Sequence, residues 1–119
     1  MQFVHRGKTF TGYFAENKYV DNNNLYVALM SWQTDGGYWE PYANVSVNTD
    51  LWLPADEFVA KTYSENEGLV GQFVAMGYFE ETGLTTRFGY VGAAPIYRIT
   101  KKFKGEAGQV PTPPARFSP

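Results

Sequence analysis

The chain has 119 residues, no cysteine and a formal net charge of −2, and a chain of this length fits one domain. Without cysteine it can form neither disulfides nor thiolate metal sites. No window is apolar for long enough to form a signal peptide or a membrane span, so we expect a cytoplasmic protein without membrane contact.

The N-terminal segment alternates between apolar and polar residues, which is the pattern of a half-buried β-strand. Phe10 and Phe14 fall on one face of this pattern. Residues 2–6 and 9–20 are predicted to form a hairpin around Gly7-Lys8. The following Asp-Asn-Asn-Asn run predicts a turn, because short polar side chains tolerate a left-handed backbone.

The next segments continue the pairing of neighbouring strands. The nearly continuous apolar run 25–32 predicts a central strand that is covered on both faces. A turn at 33–37 leads into a returning strand over 38–48, so the strands form a meander. The short apolar run 51–53 is expected to pack on the core, and Pro54 interrupts any strand at that point.

One strand and one helix are predicted next. The β-favouring residues of 58–63 predict a strand, although Pro54 and the acids after it also fit a short helix. Ser64 followed by Glu67 matches a capping box, and apolar residues then recur at helical spacing. Gly77 supplies a C-terminal stop, so the helix is predicted to end there.

The remaining segments complete the predicted fold. Residues 80–83 predict a loop, 88–91 a short strand and 94–102 a final strand. The predicted fold is α+β, with an antiparallel meander sheet of about five strands and one helix packed on a face. This domain spans 1–104, and the Pro/Gly-rich tail 105–119 is predicted to be flexible or polyproline-like unless a partner orders it.

No catalytic constellation is apparent in the sequence. His5 is the only histidine, and its neighbour Arg6 disfavours a charged imidazole, so we interpret it as a structural residue. Gly7-Lys8-Thr9 resembles the end of a phosphate loop, but Gln2 stands where that loop requires glycine. We therefore predict no catalytic residue, no metal and no cofactor, and we predict that the protein is not an enzyme.

The charges and rings instead suggest binding. Residues 35–81 hold nine acidic residues and one basic residue, which gives this segment a net charge of −8. Aromatic residues make up 18% of the chain. Tyr and Trp are enriched at protein interfaces. Trp39, Glu40 and Tyr42 are therefore candidate residues for binding a partner protein with a basic surface.

Nucleic-acid binding is the alternative. Bases and aromatic residues mix near the end of the last predicted strand, as they do in proteins that bind single strands. The candidate residues are Arg98, Lys101, Lys102 and Lys104. The acidic pI of about 5.3 argues against this alternative, since contacts to phosphates usually dominate such affinity.

Several segments resemble an uncharacterised family of small α+β proteins carried by bacterial plasmids, conjugative elements and phages. They are Asn24-Leu25-Tyr26-Val27-Ala28-Leu29, Glu40-Pro41-Tyr42-Ala43-Asn44-Val45-Ser46-Val47-Asn48, the predicted helix, Thr82-Gly83 and Pro95-Ile96-Tyr97. The resemblance covers roughly 5–100. It implies an accessory protein in the bacterial cytoplasm that binds a host protein, with inhibition of a host defence system as one form of this activity.

Overall fold

The computed structural model describes residues 1–87, 89 and 92–114. Its strands are Gln2–His5 (β1), Lys8–Lys18 (β2), Leu25–Gln33 (β3), Tyr38–Asn44 (β4), Ser46–Val47 (β5), Glu57–Ala60 (β6), Phe79–Arg87 (β7) and Ala93–Ile99 (β8). Its helices are Gly71–Ala75 (α1) and Lys101–Glu106 (α2), and Ser64–Asn66 forms a 3₁₀ turn. Sheet 1 has the order β1-β2-β3-β4, and sheet 2 has the order β5-β6-β8-β7.

All strand pairs in this part of the chain are antiparallel. The predicted α+β class and the antiparallel pairing are therefore confirmed. The predicted single sheet of about five strands is wrong, because the strands divide into two sheets of four. The described residues also contain two α-helices where one was predicted. No helix among them has the length and apolarity of a membrane span.

Sheet 1 follows the alternation in the sequence. The predicted first hairpin is present, with Phe3 opposite Phe10 and His5 opposite Lys8, but its turn lies one residue earlier than the predicted Gly7-Lys8. Its turn is formed by Arg6 and Gly7, whose φ angles are 53° and 77°. Positive φ at both central residues characterises the two-residue turn whose twist matches a hairpin.

The chain passes from sheet 1 to sheet 2 at Val45, which is fully buried. The backbone N–H of Val45 donates to Val27 of sheet 1 at 2.9 Å, and its carbonyl accepts from Lys61, just after β6, at 2.8 Å. Ser46 Oγ accepts from the Val27 N–H at 2.9 Å. The single strand predicted over 38–48 is therefore divided, because its last residues pair in the other sheet.

One aromatic cluster joins the two sheets and the two helices. Phe14 of β2 lies at its centre, with ring centroids 4.9 to 5.3 Å from those of four neighbours. These neighbours are Phe73, Tyr78, Phe79 and Phe103. Burial of such large rings supplies much of the core of a small domain.

The predicted helix over 64–77 is only partly formed. Ser64 and Gly68 have φ angles of 59° and 78°, which a right-handed helix cannot accommodate, and the capping box is absent. Only α1 is α-helical, and Gly77 ends it as predicted, with φ of 88°. Tyr78 N–H bonds to Phe73 O and Gly77 N–H to Val74 O, which is the Schellman arrangement.

The C-terminal part departs most from the predictions. The strand predicted over 58–63 is present as the shorter β6, but the predicted loop 80–83 lies inside β7. The final strand ends at Ile99, because the Thr100 hydroxyl accepts from the Phe103 N–H at 3.3 Å and begins α2. The strand predicted over 88–91 falls largely outside the described residues.

Candidate protein-binding surface

The predicted partner-binding residues Trp39, Glu40 and Tyr42 do not share a surface. Trp39 and Glu40 extend from opposite faces of β4, because side chains alternate along a strand. Tyr42 is the extra residue of a β-bulge. Its ring packs against Phe3 and Phe10, with centroids 5.3 and 4.9 Å apart. The structure therefore does not bring the three side chains together on one face of sheet 1.

His5 is buried, and both of its ring nitrogens have partners. Nε2 lies 3.3 Å from the Glu67 carbonyl, which can only accept, so Nε2 donates. Nδ1 then accepts from the Tyr42 hydroxyl at 2.5 Å. Burial raises the pKa of Tyr42, an effect that Arg6 partly offsets. His5 ties β1 to β4 and to the segment that precedes α1.

Metal ligation has no geometric support in the described ranges. Nowhere in them do three histidine, aspartate or glutamate side chains cluster closely enough to hold an ion.

Arg98, one of the predicted nucleic-acid contacts, lies on β8 between carboxylates of the neighbouring strands. Its guanidinium is 3.1 Å from Glu57, 3.7 Å from Glu80 and 3.8 Å from Asp56. The hydrogen bond to Glu57 raises the pKa of Arg98. Three of the nine acidic residues of segment 35–81 therefore lie around Arg98, and their negative charges offset the positive charge of the guanidinium.

The three predicted lysines lie on α2 rather than on a strand. Lys102 Nζ donates to the Met76 carbonyl at 2.7 Å, which satisfies a carbonyl at the end of α1. Lys101 and Lys104 are exposed, and their three-residue spacing places them on one side of α2. Lys104 also lines a cleft with Asp56. Arg98 and Lys102 thus have partners within the protein, whereas Lys101 and Lys104 are exposed.

Three exposed apolar side chains lie on two loops that hydrogen bonds join, and they were not predicted from the sequence. Val20, in the β2–β3 turn, is 98% exposed, and Leu51 and Trp52, in the β5–β6 loop, are 41% and 81% exposed. We call Val20, Leu51 and Trp52 the apolar tip. Only Leu53 of the apolar run 51–53 packs inward, against a small cluster on sheet 2, so the prediction that the whole run joins the core is wrong.

Asparagines of the β2–β3 turn hold the two loops of the apolar tip together. Asn22 Nδ2 donates to Asn48 Oδ1 at 3.1 Å and to the Thr49 carbonyl at 2.8 Å. Asn24 Nδ2 donates to the carbonyls of Thr49 and Leu51, at 3.2 and 3.1 Å. These four bonds fix the backbone on which Trp52 stands, so its indole is presented from an ordered loop.

The surroundings of the apolar tip are acidic. Asp21 follows Val20, Asp50 precedes Leu51, and both aspartates are exposed. Alternation within Leu51-Trp52-Leu53 could have indicated that Trp52 faces away from Leu53. The bonds from the asparagine turn join segments about 25 residues apart, and no local pattern in the sequence reports them.

Comparison with protein-family models, with curated proteins and with solved structures found no match.

Proposed function

We propose that this is a non-enzymatic binding protein whose apolar tip contacts a partner protein. The observation that carries the proposal is Trp52, an 81% exposed indole on a loop held by four asparagine hydrogen bonds. Tryptophan is among the residues that contribute most energy at interfaces. A loop that is ordered before binding loses less entropy when the partner arrives.

The acids beside the tip support a partner with a basic surface. Asp21 and Asp50 flank the apolar residues, and an acidic rim accelerates encounter with a basic surface and discriminates against acidic ones. Because the sequence also resembles proteins of mobile elements, we propose that the protein is an accessory protein of the bacterial cytoplasm and that it binds a host protein. Inhibition of a host defence system is the activity we favour.

Nucleic-acid binding through α2 is the second candidate, and the exposed Lys101 and Lys104 favour it. It has less support, because three carboxylates surround Arg98 and Lys102 bonds to the end of α1. Binding carried by these lysines would weaken steeply with salt. Mobility-shift titrations with DNA and RNA at two salt concentrations separate the candidates.

The test of the proposed function compares Trp52→Ala with Tyr38→Ala. Tyr38 is 53% exposed and pairs with Gln33, at the end of sheet 1 remote from the β2–β3 turn. Both substitutions remove an exposed ring, so both variants should keep the fold. We expect Trp52→Ala to weaken binding at least about 30-fold, the ratio that corresponds to about 2 kcal/mol. Tyr38→Ala should change it little.

The measurement has two stages. The parent protein captures partners from a bacterial lysate for identification by mass spectrometry, and calorimetry then gives the dissociation constant of each purified partner for the parent and both variants. Equal affinities for parent and Trp52→Ala would show that the tip is not the contact surface.

A further inference from the structure

A second surface lies on the face of sheet 1 that is turned away from the core. Tyr13 of β2, Trp32 of β3 and Trp39 of β4 are partly buried there, and each keeps some exposed surface. The Trp39 ring lies edge-on to both others, with centroids 5.0 Å from Tyr13 and 5.2 Å from Trp32. We call Tyr13, Trp32 and Trp39 the aromatic strip. It crosses three of the four strands of sheet 1.

The C-terminal segment of the chain leads onto this face. After α2, the Gly108 N–H donates to the Phe14 carbonyl at 2.8 Å, on the part of β2 that extends past β1. Pro111 then lines a cleft with Tyr13, and Pro114 lines another with Thr11 and Trp32. The segment therefore runs back along β2 over one end of the aromatic strip.

The composition of the segment restricts its conformation. Pro111, Pro113 and Pro114 have φ fixed near −65°, the value of polyproline II helix. Val110, Thr112 and Pro113 each precede a proline, which disfavours the α-helical region for them as well. Residues 110–114 are thus biased toward an extended, left-handed form with no internal hydrogen bonds.

The aromatic strip has the groups that recognise such a helix. Polyproline II segments dock in grooves lined by aromatic rings, and their carbonyls are free to accept from donors beside those rings. The indole N–H groups of Trp32 and Trp39 and the hydroxyl of Tyr13 are such donors. None of the three has a hydrogen-bond partner among the described residues.

The contact of the segment with the strip is loose. Within the described residues, no backbone hydrogen bond joins the segment to a sheet after the one from Gly108. Val110 is 55% exposed. The cleft between Pro114 and Trp32 has a volume of about 640 Å³, room for a more closely packed ligand. A segment with few bonds over an unfilled cleft is easily displaced.

From these observations we infer that the aromatic strip is a docking surface for polyproline II segments, and that the chain's own residues 110–114 lie over one end of it. A proline-rich segment of another protein binds by displacing them. The covering segment lowers the apparent affinity of such ligands, because a tethered competitor acts at an effective concentration in the millimolar range. This inference does not depend on the apolar tip, which lies in other loops.

The test uses full-length protein and a synthetic peptide, Gly-Gln-Val-Pro-Thr-Pro-Pro-Ala. The indole N–H signals of the three tryptophans are followed by NMR during titration, so that Trp52 serves as an internal control. The variant with Pro111→Ala, Pro113→Ala and Pro114→Ala removes the covering sequence without touching the core. A peptide with its three prolines replaced by alanine is the control ligand.

We expect the peptide to shift the signals of Trp32 and Trp39 and to leave that of Trp52 in place. The triple variant should bind the peptide more tightly than the parent, by about twofold when the dissociation constant of the segment equals its millimolar effective concentration, and by more when the segment binds more tightly. Trp39→Ala should abolish the shift at Trp32, and Trp39→Tyr, which keeps a ring and a donor, should retain part of it.

Three results would overturn the inference. They are the absence of binding to the triple variant at millimolar peptide, equal affinities of the parent and the triple variant, and equal binding of the proline-free peptide. A response at Trp52 alone would assign the peptide to the apolar tip instead.

Discussion

Sheet 1 and sheet 2 contain four strands each, but they differ in how far apart along the chain their paired residues lie. In sheet 1 each strand pairs with the next, through short turns such as the one between Lys18 and Leu25. In sheet 2, β6 pairs with β8, and the ion pair from Glu57 to Arg98 spans 41 residues. Sheet 1 can therefore form from contacts between neighbouring segments, whereas sheet 2 requires contacts between residues that are far apart in the sequence.

The same difference applies to the two proposed surfaces. The aromatic strip lies on regular strands, whereas the apolar tip depends on hydrogen bonds between two loops. The strip lies on paired strands, and in our inference the segment 110–114 competes with other ligands for it. The tip is a loop surface whose order comes from its asparagine contacts.

The largest expected effect comes from removing the ring that connects the sheets. Phe14→Ala deletes contacts with four other rings and leaves a cavity, so we expect a loss of about 3–5 kcal/mol in the free energy of unfolding. Phe14→Leu, which keeps most of the volume, should lose much less. Urea denaturation measures both variants.

This variant also tests whether the two sheets are one cooperative unit. Because Phe14 lies in the core that they share, amide exchange in β3 and in β8 should accelerate together. If only the amides of β8 stayed protected from exchange, sheet 2 would be stable without sheet 1. The two sheets would then be two separately folding units.

A smaller effect is expected at Asn66, where the two sheets are joined near Val45. Its Nδ2 donates to the carbonyl of Asn44 in β4 at 2.6 Å and to that of Lys61 at 3.0 Å. Asn66→Ala leaves both carbonyls without this donor, which should cost about 1–3 kcal/mol in thermal or urea unfolding. The exposed neighbour Glu67 is the control, and Glu67→Ala should change stability by less than about 0.5 kcal/mol.

Sheet 1 could be predicted from the sequence because its signals are local. The polar turn residues after Lys18 and the alternation around Phe14 specify a hairpin without reference to the rest of the chain. The helix predicted at Ser64 failed for the opposite reason. Ser64 and Glu67 match a capping box, but the buried side chain of Asn66 bonds to the carbonyl of Lys61 and to the distant carbonyl of Asn44, and it holds the segment in a tight turn.

The candidate surface was less predictable than the fold. Trp39 and Tyr42 were predicted to contact a partner together, but a bulge and the alternation of β4 separate them. Trp52 was assigned to the core because a short apolar run does not reveal which of its members is covered. Its loop is held by hydrogen bonds from Asn22 and Asn24 to the carbonyls of Thr49 and Leu51. Whether such bonds form is decided by the tertiary structure.

The smallest expected effect concerns Tyr78, which connects the end of α1 to α2. Its hydroxyl donates to Glu106 at 2.7 Å, and burial, together with this bond, raises the pKa of Tyr78 above its usual value of 10.0. The folded protein therefore keeps this proton after the unfolded chain has lost it. The stabilising contribution is complete below about pH 10 and is lost as the pH rises through the folded pKa.

Tyr78→Phe should consequently make the alkaline loss of stability less steep, and at pH 7 it should cost no more than about 1.5 kcal/mol for the lost hydrogen bond. Tyr38→Phe, which removes an exposed hydroxyl, is the matched control. Urea unfolding at intervals between pH 8 and about pH 11 measures both variants. If the alkaline limb of Tyr78→Phe follows that of the parent, the bond to Glu106 does not hold α2 against α1, and the distant contacts of this region rest on the shared aromatic core and on the ion pairs of Arg98.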